Sequence, residues 1–170
     1  MSDATIEKGS ANPRVRLERE LADPPAVVWR AITEPSELAR WFPCAVEVDG
    51  GQWRVRAKIT FTFPKDVMDM TLFGEVLAVE EPRHLAYTWG EETLTFDLVA
   101  SGTGTRLVLT DELERSAAAR NAAGWEECLD RLEGQESSGW RARFDRYSAA
   151  FEGELGPQEG PPADYKGKLD

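Results

Sequence analysis

The titratable side chains that general acid–base catalysis would use are thinly spread along this sequence. His84 is its single histidine and follows Pro82 and Arg83, where a turn is predicted. Asp97 lies on the polar side of an alternating strand pattern, and Glu112 lies near the end of another. A general acid or base needs burial or a charged neighbour to move its pKa. We expect these side chains to face solvent, and the sequence predicts no catalytic residue.

The patterns that mark metal or cofactor sites are also missing from the sequence. Cys44 and Cys128 are far apart, and neither has a C-x-x-C partner, so neither zinc nor a disulfide is indicated. Gly102 to Gly104 joins two predicted strands and opens no helix, which is typical of a hairpin turn and not of a phosphate-binding loop. We therefore predict reduced, partly buried thiols, no metal site and no cofactor.

Large aromatic side chains offer a different chemistry, the binding of an apolar molecule. Strand parity and helical spacing direct several of them toward one interior space, which is how apolar ligand sites are built. The candidate wall of this space consists of Trp41, Phe61, Met70, Trp89, Phe96, Trp125 and Leu129. Aromatic stripes at these spacings also pack protein cores, so the side chains either line a pocket or fill it. Gly124 likewise either permits close helix–sheet contact or leaves room for a ligand.

Charge excludes two classes of partner. The 170 residues carry 31 acidic and 20 basic side chains, a formal net charge of -11. Phosphate backbones and anionic lipid surfaces would repel such a chain. The basic row Arg54, Arg56 and Lys58 is interpreted as the solvated face of a strand, and Glu126, Glu127 and Asp130 as the solvated face of a helix. We expect a cytoplasmic protein with no nucleic-acid partner and no membrane insertion.

Hydrophobic periodicity predicts the strands that position these residues. Residues 14–21 alternate apolar and charged side chains, as a half-buried strand does, and two short helices follow. Alternating segments separated by short turns continue to residue 113 and predict an antiparallel meander. The clearest alternation runs from Trp53 to Phe63. A change of parity near Gly74 predicts a bulge where the sheet bends.

Helical periodicity begins after the last strand. Apolar side chains three or four residues apart predict a long helix over about residues 117–134, and aromatic side chains predict a terminal helix over about 140–151. The flanking segments are polar or rich in Gly and Pro. The sequence therefore predicts a flexible lead at 1–12, one α+β domain at 13–151 and a disordered tail at 152–170.

Four segments, in this order, resemble a known family. They are PPAVVWRAITEPSELARWFP at 24–43, EEPRHLAYTW at 80–89, GTRLVLTDEL at 104–113 and NAAGWEECLDRLE at 121–133. They are similar to bacterial homologues of the C-terminal domain of the Hsp90 ATPase activator, within the START and Bet v 1-like (SRPBCC) superfamily. The resemblance implies a helix-grip fold, in which a curved antiparallel sheet wraps a long C-terminal helix and two short helices follow the first strand. It also implies a site for lipids, sterols or polyketides between sheet and helix.

Three hypotheses for function follow. The first is binding of an apolar or aromatic small molecule in the cavity, without covalent chemistry. The second is an enzyme of the cyclase or aromatase type, which requires a polar or titratable side chain in that cavity. The third is a protein-interaction module that resembles the chaperone activator, which requires an exposed apolar patch. A homodimer formed through residues 140–151 is a further hypothesis.

Overall fold

A computed structural model describes residues 3–7, 11–136 and 139–167. Parts of the predicted lead and tail, at 1–2, 8–10 and 168–170, lie outside these described residues. The strands are β1 (Thr5–Glu7), β2 (Arg14–Leu21), β3 (Ala45–Val48), β4 (Lys58–Thr62), β5 (Thr71–Glu80), β6 (His84–Trp89), β7 (Glu92–Ser101) and β8 (Gly104–Glu112). The helices are α1 (Pro25–Thr33), α2 (Pro35–Leu38), α3 (Ala118–Leu132) and α4 (Trp140–Leu155).

One antiparallel sheet forms the body of the molecule. Its strand order is β1-β2-β8-β7-β6-β5-β4-β3, so the chain runs as a meander from β3 to β8 and β2 closes against β8. Alternation decides which face is buried. Val15 and Leu17 of β2 pack inward with Leu107 and Leu109 of β8, all with no solvent exposure. Helix α3 crosses this inner face, which is the helix-grip arrangement expected from the sequence.

The sheet bends within β5, close to the predicted position. The pairing of β5 with β6 shifts register between Val76 and Ala78, two residues after Gly74. A Cβ atom at Gly74 would lie 1.9 Å from the carbonyl oxygen of Thr88 and 2.9 Å from the Phe61 ring. Only glycine fits this close approach, so Gly74 lets the strands bend around the core.

The strand predicted from Trp53 to Phe63 is shorter in the structure. Residues 49–51 form a single 3-10 turn and regular pairing begins only at Lys58. Arg56 adopts a φ of 75°, which interrupts the extended backbone. Its amide still bonds the Val76 carbonyl at 2.8 Å. The predicted parity holds for Ile59 and Phe61, which are buried.

The ends of the chain differ from the predicted flexible lead and disordered tail. Residues 5–7 pair with β2 as an edge strand, because their backbone groups find free partners on Arg14–Arg16. Helix α4 continues to Leu155, four residues beyond the expected end. Residues 156–167 lie against α3 and the loop between β4 and β5. No periodic pattern marks this last segment in the sequence, since its contacts are made mainly by backbone groups and by single side chains.

Candidate functional site

The seven side chains predicted to wall a cavity come together between the sheet and α3. Met70 and Trp89 are partly buried against the core. The other five are at most 2% exposed: Trp41, Phe61, Phe96, Trp125 and Leu129. Strand parity and helical spacing were therefore sufficient to locate one interior space. Their role in ligand binding stays a prediction.

Flat rings fill this space by packing against one another. Phe42 lies at the centre, with its ring centroid 5.4 Å from that of Trp41, 5.4 Å from Trp125 and 6.4 Å from Trp89. Trp89 and Trp125 are also in contact, at 5.3 Å. Sequence reasoning missed Phe42, because a turn after α2 offers no periodicity to show which way a side chain points. We call the rings of the following residues the aromatic cluster: Trp41, Phe42, Phe61, Tyr87, Trp89, Phe96 and Trp125.

Tyr87 contributes a hydroxyl group to the aromatic cluster. Its ring stacks on Phe61 at 5.8 Å and on Phe96 at 6.0 Å. The residue has no solvent exposure, and among the described residues its Oη has no hydrogen-bond partner. Burial raises the pKa of Tyr87 well above its usual value, so the group stays a neutral hydroxyl. The interior therefore holds a free donor and acceptor at Tyr87, and Trp89 Nε1 of the same cluster is also buried without a partner among the described residues.

Two carboxyl groups are buried where the sheet meets the first half of α3. Trp125 Nε1 donates to Asp111 Oδ2 at 2.9 Å, and Asn121 Nδ2 donates to Glu92 Oε1 at 3.0 Å. Asp111 Oδ1 and Glu92 Oε2 are buried and have no hydrogen-bond donor among the described residues. We call Glu92 and Asp111 the carboxyl pair.

A single proton satisfies this carboxyl pair. Burial raises the pKa of Asp111 well above its usual value, and the negative charge of Glu92 raises it further. Burial raises the pKa of Glu92 to about 7, against hydrogen bonds from Asp111 and Asn121 that lower it. Two adjacent carboxylates cannot both ionise cheaply in a buried site. Burial therefore favours the protonated form of Asp111, whose hydroxyl supplies the donor that Glu92 Oε2 otherwise lacks.

The sequence carried a signal for both members of the carboxyl pair. Asp111 continues the inward parity of Leu107 and Leu109, and Glu92 continues that of Leu94 and Phe96. Neither residue was among the candidate site residues, and carboxylates are normally placed on the solvent side of a strand. The second hypothesis required such an inward titratable group, and the structure contains one.

Two of the three acidic side chains expected on the solvated face of α3 are buried instead. Glu126 is 6% exposed and Asp130 is 2% exposed, because α4 covers this face with Arg143 and Arg146. Asp130 accepts hydrogen bonds from Arg19 Nη1 at 2.9 Å and from Arg143 Nη2 at 2.7 Å. Burial alone would raise the pKa of Asp130, but these bonds outweigh it and the pKa is lowered.

A groove of about 470 Å³ lies between the α1–α2 pair and the C-terminal end of α3. Its floor includes Val28, Ala31 and Trp41, whereas its rim is charged, with Arg40 and Arg131 among the lining residues. A second depression, of about 510 Å³, lies beside Trp53 and α1. Of the seven predicted residues only Trp41 lines either of them. A ligand among the remaining six must therefore separate rings that are now in contact.

The titratable residues considered first lie on the outer face of the sheet. His84 begins β6 rather than lying in a turn, and its Nδ1 is 2.6 Å from Asp97 Oδ1. Glu112 bonds Arg14 at 3.0 Å. Cys44 and Cys128 are buried and unbridged, and burial raises the pKa of each thiol to about 12. Within the described ranges no three His, Cys, Asp or Glu side chains are grouped as metal ligands would be.

The outer surface also carries exposed apolar side chains. Phe73 of β5 is 69% exposed, and Leu77 of β5 and Val55 are 45% and 55% exposed.

Gly124 of α3 has open space where a Cβ atom would stand, so it does not permit close helix–sheet contact. In the part of the chain that the structure describes, no helix has the length and hydropathy needed to cross a membrane.

Sequence comparison assigns the chain to a family. Residues 22–135 match the profile described as "Activator of Hsp90 ATPase homolog 1-like protein". This chain belongs to that family. The match begins just before α1 and ends just after α3, so it contains the aromatic cluster and the carboxyl pair. Helix α4 and residues 156–167 lie outside it. No curated protein matched the sequence.

Solved structures share the fold of this family member. A conserved protein of unknown function from Enterococcus faecalis, EF2215, superposes with a TM-score of 0.75 at 23% identity, over 88% of this chain and 91% of its own. CalU16 from Micromonospora echinospora gives 0.69 at 19% identity, over 90% and 97%. DynU16, from the dynemicin biosynthetic locus, gives 0.61 at 24% identity, over 71% and 46%. At these identities the likeness establishes the helix-grip fold.

Proposed function

We propose that this member of the Hsp90 activator-like family binds a flat, mainly apolar aromatic molecule that carries a hydroxyl or carbonyl group. The ligand lies between the sheet and α3, among the rings of the aromatic cluster. Its polar group pairs with the Tyr87 hydroxyl. The protein does no covalent chemistry on it.

The unpaired Tyr87 hydroxyl is the observation that carries this proposal. A buried donor without a partner costs about 1–3 kcal/mol, and natural interiors rarely keep one without a reason. A ligand oxygen that hydrogen-bonds to the Tyr87 hydroxyl removes that cost. The inner-face position of Tyr87, between Phe61 and Phe96, makes this recovery available only to a molecule inside the aromatic cluster.

The packing of the aromatic cluster favours a flat ligand. Inserting an aromatic molecule exchanges ring–ring contacts for ligand–ring contacts of the same kind, so little packing energy is lost. Met68 is buried beside this space and Met70 is partly buried there, and their flexible thioether side chains can adapt to an occupant. The origin of DynU16 in a biosynthetic locus is consistent with a small organic ligand.

Two probes that differ by one hydroxyl group test the proposal. We expect β-naphthol to bind the protein about tenfold more tightly than naphthalene, because one hydrogen bond is worth about 1 kcal/mol or more in a dry site. Tyr87→Phe should bind both equally. Isothermal titration calorimetry measures the affinities, with Phe73→Leu as a surface control. Equal affinities in the unmodified protein, or no binding of either probe, contradict the proposal.

The carboxyl pair supports a second candidate, a cyclase-type enzyme. Glu92 as a carboxylate would remove a proton from the carbon beside one carbonyl of a diketone, and that carbon would attack the second carbonyl. Asp111 would protonate the resulting alkoxide, and loss of water would give a cyclohexenone. A δ-diketone probe followed by ultraviolet absorbance tests this candidate. Turnover that is lost in Asp111→Asn, while β-naphthol still binds, would favour an enzyme over a simple binding protein.

A further inference from the structure

We infer that residues 156–167 form a strap that closes the ligand site between α3 and the loop joining β4 to β5, and that release of this strap lets a ligand reach the Trp89 and Trp125 rings of the aromatic cluster. The inference rests on the proposed function for its ligand. The closure itself is a property of the protein alone and is tested separately. The strap lies outside the family match, which ends at residue 135.

The first half of the strap is fixed to the start of α3. The Glu159 amide donates to the Ser116 carbonyl at 2.8 Å, and Gln158 Oε1 accepts the Ala119 amide at 2.9 Å. Helix α3 has no capping side chain at its own N-cap. Gln158 therefore supplies an acceptor to one of the amides that a helix start leaves unpaired. Arg120 Nη1 adds a bond to the Gly160 carbonyl at 3.2 Å.

The second half of the strap reaches the loop at residues 63–70. The Lys166 amide donates to the Val67 carbonyl at 2.7 Å. Tyr165 is half-buried and packs against the core. Burial raises the pKa of Tyr165, and Glu127 and Cys128 of α3 lie close enough to raise it further. The strap thus spans from the helix to the loop and covers the space between them.

The aromatic cluster reaches both of the elements that the strap joins. Phe63, at the base of the loop, has its ring 6.1 Å from Trp89, and Trp89 is 5.3 Å from Trp125 of α3. Met68, in the same loop, is buried. Removing the strap would therefore open a route between the loop and α3 to the Trp89 and Trp125 rings.

The strap can move while the helix before it stays in place. It contains no helix or regular strand, and it is rich in glycine and proline, so few cooperative bonds hold it. Helix α4 ends at Gly156, whose φ of 84° turns the chain away from the helix axis. Arg143 and Arg146 fix α4 to Asp130 and Glu126 of α3 independently of the strap. Gly156 is therefore the hinge.

A reversible cross-link in the full chain tests the closure. In the double variant Val67→Cys with Lys166→Cys, the adjacent backbones favour a disulfide, and the buried Cys44 and Cys128 thiols are shielded from oxidation. We expect the oxidised form to show acrylamide quenching of tryptophan fluorescence at least about twofold weaker than the reduced form, since quencher access is gated. Lys166→Cys alone is the control and should not respond to oxidation.

A second variant tests the released state of the strap. Gln158→Ala with Tyr165→Ala loosens both ends of the strap, so quenching and hydrogen exchange of the Ala119 amide should both increase. Quenching that is the same in the oxidised, reduced and loosened proteins overturns the inference. With β-naphthol, oxidation should slow association about tenfold or more. If quenching responds as expected but β-naphthol does not bind, closure by the strap is supported and the proposed ligand is wrong.

Discussion

Trp125 Nε1 donates a hydrogen bond of 2.9 Å to Asp111 Oδ2, and this bond ties the middle of α3 to the last strand of the sheet. The negative charge of Glu92 raises the pKa of the same Asp111. The Trp125 ring is also part of the aromatic cluster, 5.4 Å from Phe42. The packing of the cluster and the protonation of the carboxyl pair are therefore linked through one indole.

The carboxyl pair predicts how stability changes with pH. The pKa of Glu92 is about 7 in the folded protein against an ordinary 4.5, so the folded state keeps a proton that the unfolded chain has released. The contribution of Glu92 is therefore fully present below about pH 4.5 and is lost as pH rises from 4.5 through 7. The slope approaches about 1.4 kcal/mol per pH unit for one proton. Urea denaturation at a series of pH values measures it.

Asp111→Asn should flatten this pH dependence. Asparagine keeps the acceptor for Trp125 and offers a permanent amide donor to Glu92, so the free energy of unfolding no longer depends on the shared proton. Glu112→Gln is the matched control, since Glu112 is the next residue of the strand but points outward to Arg14. Parallel curves for Asp111→Asn and the unmodified protein would show that the pair does not share a proton.

Replacing Asp130 by a neutral residue should lower the free energy of unfolding by a large amount. Asp130→Asn leaves the buried guanidinium of Arg19 without its full counter-charge, and breaking such a pair costs about 3–5 kcal/mol. The exposed ion pair between Arg106 and Glu20 is the comparison, where Arg106→Gln should cost far less because solvent screens the two charges. Chemical denaturation of both variants measures the difference. Equal losses would mean that burial of the Arg19–Asp130 pair adds nothing.

The architecture could be predicted from sequence because every part of it depends on repetition. Alternation along β7 and β8 fixes which side chains face inward, and the spacing of Trp125 and Leu129 fixes the inner face of α3. The polar groups of the site could not be predicted in the same way. Asp111 and Glu92 occupy inward positions, but only tertiary contacts with Trp125 and Asn121 make burial of a carboxyl tolerable.

The position of the tail could not be predicted from hydrophobic periodicity. Residues 156–167 have no repeating apolar pattern, and their position depends on backbone bonds such as that from Lys166 to Val67. Burial of Glu126 and Asp130 likewise depends on α4 lying over α3, a packing that the acidic pattern of α3 does not reveal. Sequence reasoning therefore located the interior and missed what covers it.

Substitution by alanine should change stability in opposite directions at two glycines. Gly74→Ala places a Cβ atom 1.9 Å from the Thr88 carbonyl oxygen, so backbone must shift, at a cost of about 1–3 kcal/mol or more. Gly124→Ala meets open space within α3 and should stabilise the helix by up to about 1 kcal/mol. Thermal unfolding of the two variants gives the sign directly. Destabilisation by Gly124→Ala would mean that α3 lies closer to its neighbours than the structure shows.

Phe61 and Phe73 lie on neighbouring strands and test which face of the sheet holds the site. Phe61 is fully buried and stacks on Tyr87, whereas Phe73 is 69% exposed. Phe61→Ala should lower the free energy of unfolding by about 3–5 kcal/mol, and Phe73→Ala should change it by less than about 0.5 kcal/mol. Denaturant titration measures both.

The same pair of variants separates the interior site from the outer patch. Phe61→Ala removes one of the two rings that stack on Tyr87, so β-naphthol affinity should fall even under conditions where the variant remains folded. Phe73→Ala leaves the aromatic cluster intact and should bind β-naphthol as the unmodified protein does. If Phe73→Ala loses β-naphthol binding and Phe61→Ala keeps it, the probe binds the exposed apolar surface, because a ligand inside the aromatic cluster cannot depend on an outward side chain of β5.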